Sequence, residues 1–221
     1  MVGFRIGAFS NMGRYVGPKC RQCRREGLKL MLKGARCETA KCPIERQWRN
    51  FPPGQHSWRR SRGSEYSLRL REKQKVKRYY GVFEGQFMKY FSAAQKASGN
   101  TGAILLGTLE RRFDNVVYKL GLAPSRAGAR VAIAHGHFRV NGRRCNIPGY
   151  LVRVGDKITV KDSDKSRKLV RGHLEELGEP QLQNWMKLDM VKLEGEVIAL
   201  PTREDVMIPV EENRIVELCS R

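Results

Sequence analysis

Four cysteines near the start of the chain, Cys20, Cys23, Cys37 and Cys42, restrict its possible folds more than any other feature. They form a Cys-x2-Cys pair, a spacer of thirteen residues and a Cys-x4-Cys pair. A tetrahedral metal needs four thiolates converging on one point, and two closely spaced pairs on turns supply two ligands each. Residues 12–50 are rich in Gly, Pro and charge and poor in apolar side chains, so this stretch is expected to be loop-rich and to depend on metal for its fold. Zinc is the default ion, and an iron–sulfur cluster is the alternative that spacing does not separate from it. The surrounding basic residues, among them Lys19, Arg21, Arg24, Arg25, Lys33 and Lys41, are expected to lower the thiol pKa values. A disulfide scaffold fits badly, because Cys145 and Cys219 lie far from the other four. Free thiols are the remaining alternative.

Charge narrows the class of partner. The 221 residues carry a formal net charge of +21, with Lys and Arg at 43 against 22 Asp and Glu. Residues 1–100 hold +17 of it, residues 101–160 hold +7, and the last sixty-one hold −3. A one-sided excess of this size needs a polyanion, and nucleic acid is favoured over membrane because no amphipathic helix with a clean apolar face accompanies the charge. No stretch is long and apolar enough to span a bilayer, and the opening MVGFRIGAF is broken by Arg5, so an intracellular protein is expected.

The segment Phe51 to Ser64, FPPGQHSWRRSRGS, starts with a turn that forbids helix. Its Arg59, Arg60 and Arg62, interleaved with His56 and Trp58, suit a strand of chain lying along phosphates. Ser64 predicts the N-cap of a helix that Gly81 ends. Along that helix Arg69, Arg71, Lys73 and Lys75 fall in two bands on opposite sides, which suggests a helix wedged between RNA segments. Glu84 to Ser98 and Thr101 to Leu120 are also helical in pattern.

Ser125 predicts another N-cap, with Arg126 and Arg130 on one face of the helix and Gly136 closing it. His135 and His137 flank that glycine, where RNA contact and helix capping are both open. Asn141-Gly142 between apolar alternations predicts a hairpin crowded by Arg139, Arg143 and Arg144, with a further strand pair around Gly155-Asp156. Two short helices on a small antiparallel sheet would present a compact basic surface. Arg167 to Leu177 reads as a helix, and the acidic tail reads as packing on protein.

These residues carry a resemblance. GRYVGPKCRQCRREG, LKGARC with Cys42 five further on, FPPGQH, LRLREKQKVKRYYG, LERRFDNVVYKLG, SRAGARVAIAHGHFRVNGRR, NWMKLD, LPTREDV and IVELCSR occur in order. From Met12 onward the chain resembles the bacterial-type small-subunit ribosomal protein four family. The resemblance implies an α+β architecture in three parts. Residues 1–54 would form an extension plus a metal-stapled, loop-rich segment, with Cys20, Cys23, Cys37 and Cys42 as ligands. Residues 55–108 and 176–221 would form a mostly helical domain, and residues 109–175 an inserted RNA-binding domain.

It further implies a structural, non-enzymatic constituent of the small ribosomal subunit, cytoplasmic and ribosome-bound. Such a protein binds the 5′ domain of small-subunit rRNA, nucleates assembly and bears on translational accuracy. Small-subunit ribosomal protein five is the implied protein partner, with mRNA at the entry channel or the chain's own messenger as further ones. No membrane partner and no small-molecule substrate are implied. Residues 1–11 precede the usual family start, so either Met1 is a misassigned start or the extension reaches a neighbour. Gly128 stands inside a helix at a cost of about 1 kcal/mol relative to Ala. Cys145 and Cys219 read as small buried hydrophobes.

Two rivals remain. The same inserted domain occurs as an accessory in pseudouridine synthases and tyrosyl-tRNA synthetases, but the chain has no phosphate-cradling Gly-rich motif and no assignable acid–base pair. A free regulatory RNA-binding protein is the other.

Overall fold

The computed structural model describes residues 15–55, 63–178 and 180–220. Met12, the segment before it, and Arg59, Arg60, Arg62, His56 and Trp58 lie outside the described residues.

The first core is helical. Helix α1 (Lys19–Glu26) ends at Gly27 in the left-handed conformation. Helix α2 (Glu65–Tyr80) begins where Ser64 Oγ accepts from the Ser67 amide at 3.3 Å, and it stops at left-handed Gly81. Helices α3 (Glu84–Lys96) and α4 (Thr101–Glu110) follow, with Asn100 Oδ1 accepting from the first amides of α4. Val76, Tyr80, Phe87, Phe91, Leu105 and Leu109 pack together, and Val206, Ile208 and Ile215 of the C-terminal tail return to the same core. Ile215 lies on α8 (Glu212–Cys219), which packs against α2.

The second core lies under an antiparallel sheet. Helices α5 (Phe113–Lys119) and α6 (Arg126–Ala134) precede strands β1 (Phe138–Val140) and β2 (Arg143–Arg144). Then come β3 (Lys157–Val160), α7 (Asp164–Leu177), β4 (Met186–Asp189) and β5 (Glu194–Val197), in the sheet order β2-β1-β3-β5-β4. Phe113, Val117, Leu120, Ile133, Phe138, Ile158, Trp185 and Val197 fill the space between. Strand β5 passes so close to α5 that a Cβ on Gly195 would stand 2.5 Å from Leu120 Cδ1, so a side chain there would have to displace Leu120 from the core.

Three sequence expectations change. The helical pattern through residues 101–120 is two helices, broken at Arg112, whose backbone is extended. No helix breaker stands there. The break is imposed by chain far away in sequence: the Phe113 amide donates to the Tyr150 carbonyl at 2.8 Å, and Arg112 forms a β-bridge with Leu151. The strand pair expected around Gly155-Asp156 is instead one strand, β3, paired with β1 and β5. Finally, the sheet does not end with the inserted segment at 175. Strands β4 and β5 extend it, because Met186, Leu193 and Val197 are buried against the second core. The α+β class stands as expected.

Among the described residues no helix is long and apolar enough to cross a membrane.

Candidate nucleic-acid interface

The hairpin side of the sheet presents cations that no carboxylate neutralises among the described residues. Ser125 Oγ accepts from the Gly128 amide at 3.1 Å and caps α6, and Gly136 ends it with φ of 77°. A Cβ at Gly136 would lie 2.8 Å from Arg144 Nε, so the bare glycine lets that guanidinium lie across the helix end. In the β1–β2 ladder Arg139 faces Arg144, with Asn141 and Gly142 both at positive φ in the turn. Asp156, buried at the start of β3, accepts from Asn141 Nδ2 and from the Arg153 amide, each at 2.8 Å. Its carboxylate therefore clamps the turn rather than the arginines.

Arg143 and Arg144 are exposed, Arg130 and Arg139 half-buried. None of the four has an acidic partner among the described residues. Lys161, Lys165, Lys168 and Arg171, exposed and also unpaired there, add to the basic surface at and beyond the start of α7. They were missed in the sequence, although a three-residue spacing from Lys165 marks one helix face.

His137 ties α7 to this surface: its Nδ1 stands 2.9 Å from Ser166 Oγ. Burial, then the neighbouring His135 and Lys161, hold its imidazole below the usual histidine range. A depressed histidine favours the neutral ring in the folded state, so its stability contribution is present above about pH 6.5 and is lost as pH falls through the folded value. The melting temperature of His137→Gln is therefore expected to fall less between pH 7 and pH 5 than that of the unchanged protein. Parallel melting curves in the two proteins would contradict this.

Helix α2, whose two basic bands suggested a wedge between RNA segments, has its cations engaged by carboxylates of the protein. Arg69 stands 2.7 Å from Glu217 of α8, and Arg71 and Arg78 share the buried Glu26 of α1. Lys73 and Lys77 share Glu84 at 2.5 and 2.6 Å, and Lys75 pairs with Glu72 at 2.5 Å. The bands are two-sided because α2 has protein on two sides. Burial raises the Glu26 carboxyl above its usual range, against the pull of Arg78 and Arg71.

Arg126 also differs from expectation. It is 7% exposed, donates from Nε to Asn115 Oδ1 at 2.7 Å, and centres its guanidinium 3.7 Å from the Tyr79 ring and 4.6 Å from Tyr118. It therefore joins α6 to α2 instead of facing outward with Arg130.

The four N-terminal cysteines line one small cavity together with Leu32, Lys33 and Ile44. All six cysteines are free thiols. Burial raises the Cys23 and Cys37 thiols, and the neighbouring cysteines raise both further. At these two thiols the lowering expected from basic neighbours is not found, and backbone hydrogen bonds are what opposes the rise. The Lys33 amide donates to Cys37 Sγ at 3.3 Å, the kind of bond that supports a thiolate ligand. Soft donors gathered on one cavity fit a borderline metal chemically. Nevertheless, among the described residues no group of three or more His, Cys, Asp or Glu side chains is arranged to hold an ion, so the metal-stapled segment is not carried by this arrangement.

Residues 14–110 match the Ribosomal protein S4/S9 N-terminal domain, and residues 111–158 match the S4 domain. Small ribosomal subunit protein uS4 of Halothermothrix orenii is 54% identical over 210 residues, spanning 95% of this chain and 100% of the relative. The chain belongs to the uS4 family. The uS4 proteins of Caldicellulosiruptor saccharolyticus and Thermus thermophilus are 53% and 50% identical, again over 95% of this chain and the whole of each relative. The two family models meet between Glu110 and Arg111, at the break between α4 and α5, and the S4 match ends inside β3.

Proposed function

We propose that the chain is a structural, non-catalytic constituent of the small ribosomal subunit that binds the 5′ domain of its rRNA and nucleates assembly. The observation that supports this best is the arginine cluster on the S4 domain, held by a capped helix and a clamped hairpin and left without acidic partners among the described residues. Phosphates approaching Arg130, Arg139, Arg143 and Arg144 would displace condensed counterions, which supplies affinity, while the rigid α6–hairpin surface supplies selection by shape. Arg69, Arg71, Lys73 and Lys75 would contribute through ion pairs that hold α2 in the fold, with contact to RNA secondary. The protein would act ribosome-bound in the cytoplasm, contact small-subunit ribosomal protein five, bear on translational accuracy, and meet mRNA at the entry channel or repress its own messenger.

The test is competition. Labelled 5′-domain rRNA is held against excess unrelated structured RNA while salt is raised. Retained binding at moderate salt is the expected result. Equal competition by both RNAs with collapse in salt would mean that net charge alone is acting.

Cys20, Cys23, Cys37 and Cys42 would hold zinc, or alternatively an iron–sulfur cluster. Bound metal supplies a cross-link between α1 and the turn that carries Cys37 and Cys42, with no catalytic part. Metal analysis of anaerobically purified protein is expected to find an occupied site whose removal by chelation lowers the melting temperature. An empty site and no loss on chelation would overturn this.

A further inference from the structure

A second basic surface lies apart from the S4 domain, between α1 and the turn that starts at Phe51. It is a cavity of about 430 Å³ whose lining includes Arg21, Arg24, Trp48, Arg49 and Phe51, and no acidic side chain takes part among the described residues. Two large rings are unusually open there, Trp48 at 66% exposure and Phe51 at 47%. The Arg49 and Arg46 guanidinium groups stand 5.1 and 5.6 Å from the centre of the Trp48 ring. Arg24 Nη1 donates to the Phe51 carbonyl at 3.4 Å, which ties the turn to α1. Arg21 and Arg24, three residues apart, lie on one side of that helix.

We propose that Trp48 and Phe51 form a stacking site for an unpaired nucleotide of the bound RNA, with Arg21, Arg24 and Arg49 on its phosphates. The proposal rests on the RNA-binding reading above and names one contact within it. An apolar partner would have to strip water from three arginines without pairing them. An acidic peptide would pair the arginines and leave the ring faces bare. A nucleotide satisfies both, because every base has a face to stack and every phosphate a charge to pair. The sequence directed attention to Trp58 and His56 among the arginines of the following segment, whereas Trp48 lies in a stretch that shows no periodic pattern.

The experiment compares Trp48→Ala, Trp48→Phe and the unchanged full-length protein for binding to the 5′-domain rRNA transcript over a salt series. Trp48→Ala is expected to bind about 10-fold more weakly with an unchanged salt slope, since it removes a stacking face and no charge. Trp48→Phe is expected to recover most of the affinity, and thermal melts of all three should coincide because the ring is exposed. RNA-dependent quenching of tryptophan emission should shrink in both variants. If the unchanged protein selects rRNA over unrelated RNA and Trp48→Ala binds equally well, the stacking site is wrong and the rRNA reading stands. If the unchanged protein shows no selection, both fall together.

Discussion

Replacing Glu110 with alanine is expected to lower the stability of the protein by about 3–5 kcal/mol, the usual cost of stranding the partner of a buried ion pair. Glu110 is fully buried at the end of α4. Its carboxylate accepts from Tyr80 at 2.6 Å and Asn115 at 2.5 Å, and lies 2.7 Å from Lys119 Nζ. Lys119 also donates to Gln183 and, at 3.0 Å, to the Asp205 carbonyl. One carboxylate thus joins α2, α4 and α5, and through Lys119 reaches the tail. Burial, helped by the charge of Arg126, pulls the Lys119 ammonium below the usual lysine range, and Glu110 is the main influence opposing it. Without Glu110, buried Lys119 would keep only the weaker attraction of Asp205, and Arg126 nearby would add to the repulsion. Glu110→Gln, which keeps the size and some hydrogen bonds, should lose less than Glu110→Ala. Urea unfolding followed by emission of the buried Trp185 measures both. A loss below about 1 kcal/mol for the alanine variant would remove Glu110 from the centre of this account.

The second large effect falls on binding. Changing Arg139, Arg143 and Arg144 together to alanine is expected to weaken rRNA affinity on the order of 100-fold near 0.15 M salt, and to make the salt slope shallower by about three. Stability should hardly change, because surface substitutions away from buried networks usually stay within about 0.5 kcal/mol each. The informative contrast is Arg69 with Arg71. Those two pair with Glu217 and Glu26, so their removal should show in unfolding more than in RNA affinity. If the α2 pair cost as much affinity as the hairpin triple, the division between structural and RNA-facing arginines drawn here would fail.

That division is where reading the sequence met its limit. Ser64, Gly81, Ser125, Gly136 and Asn141-Gly142 all mark the boundaries they were expected to mark, because capping and turn chemistry involve atoms within about four residues. The alternation of a basic N-terminal part and an acidic tail was equally plain, and so was the α+β class. The destination of each charge was not. Two of the acids that meet α2, Glu26 and Glu217, lie at opposite ends of the chain, and nothing in the local pattern marks them as partners. A two-sided basic helix looks the same in sequence whether RNA or protein lies beside it.

The candidate site divides in the same way. The hairpin arginines were legible because Asn141-Gly142 marks the turn locally, and Arg143 and Arg144 beside it are exposed. Arg126 was not, although it lies one helical turn from Arg130, because its burial depends on Tyr79 and Asn115 folding over it. The cysteines were legible as a set, and their gathering on one cavity agrees with their spacing, but the burial that raises the Cys23 and Cys37 thiols is a property of packing.

By itself the sequence determined the caps, the turns, the charge and the family, all of which depend on residue identity and short-range spacing. Only the tertiary structure decided which arginines remain unpaired among the described residues, that α4 and α5 break at Arg112, and that β4 and β5 complete the sheet. Those outcomes turn on burial and on partners tens of residues away, where the cost of an unpaired buried group selects the contact.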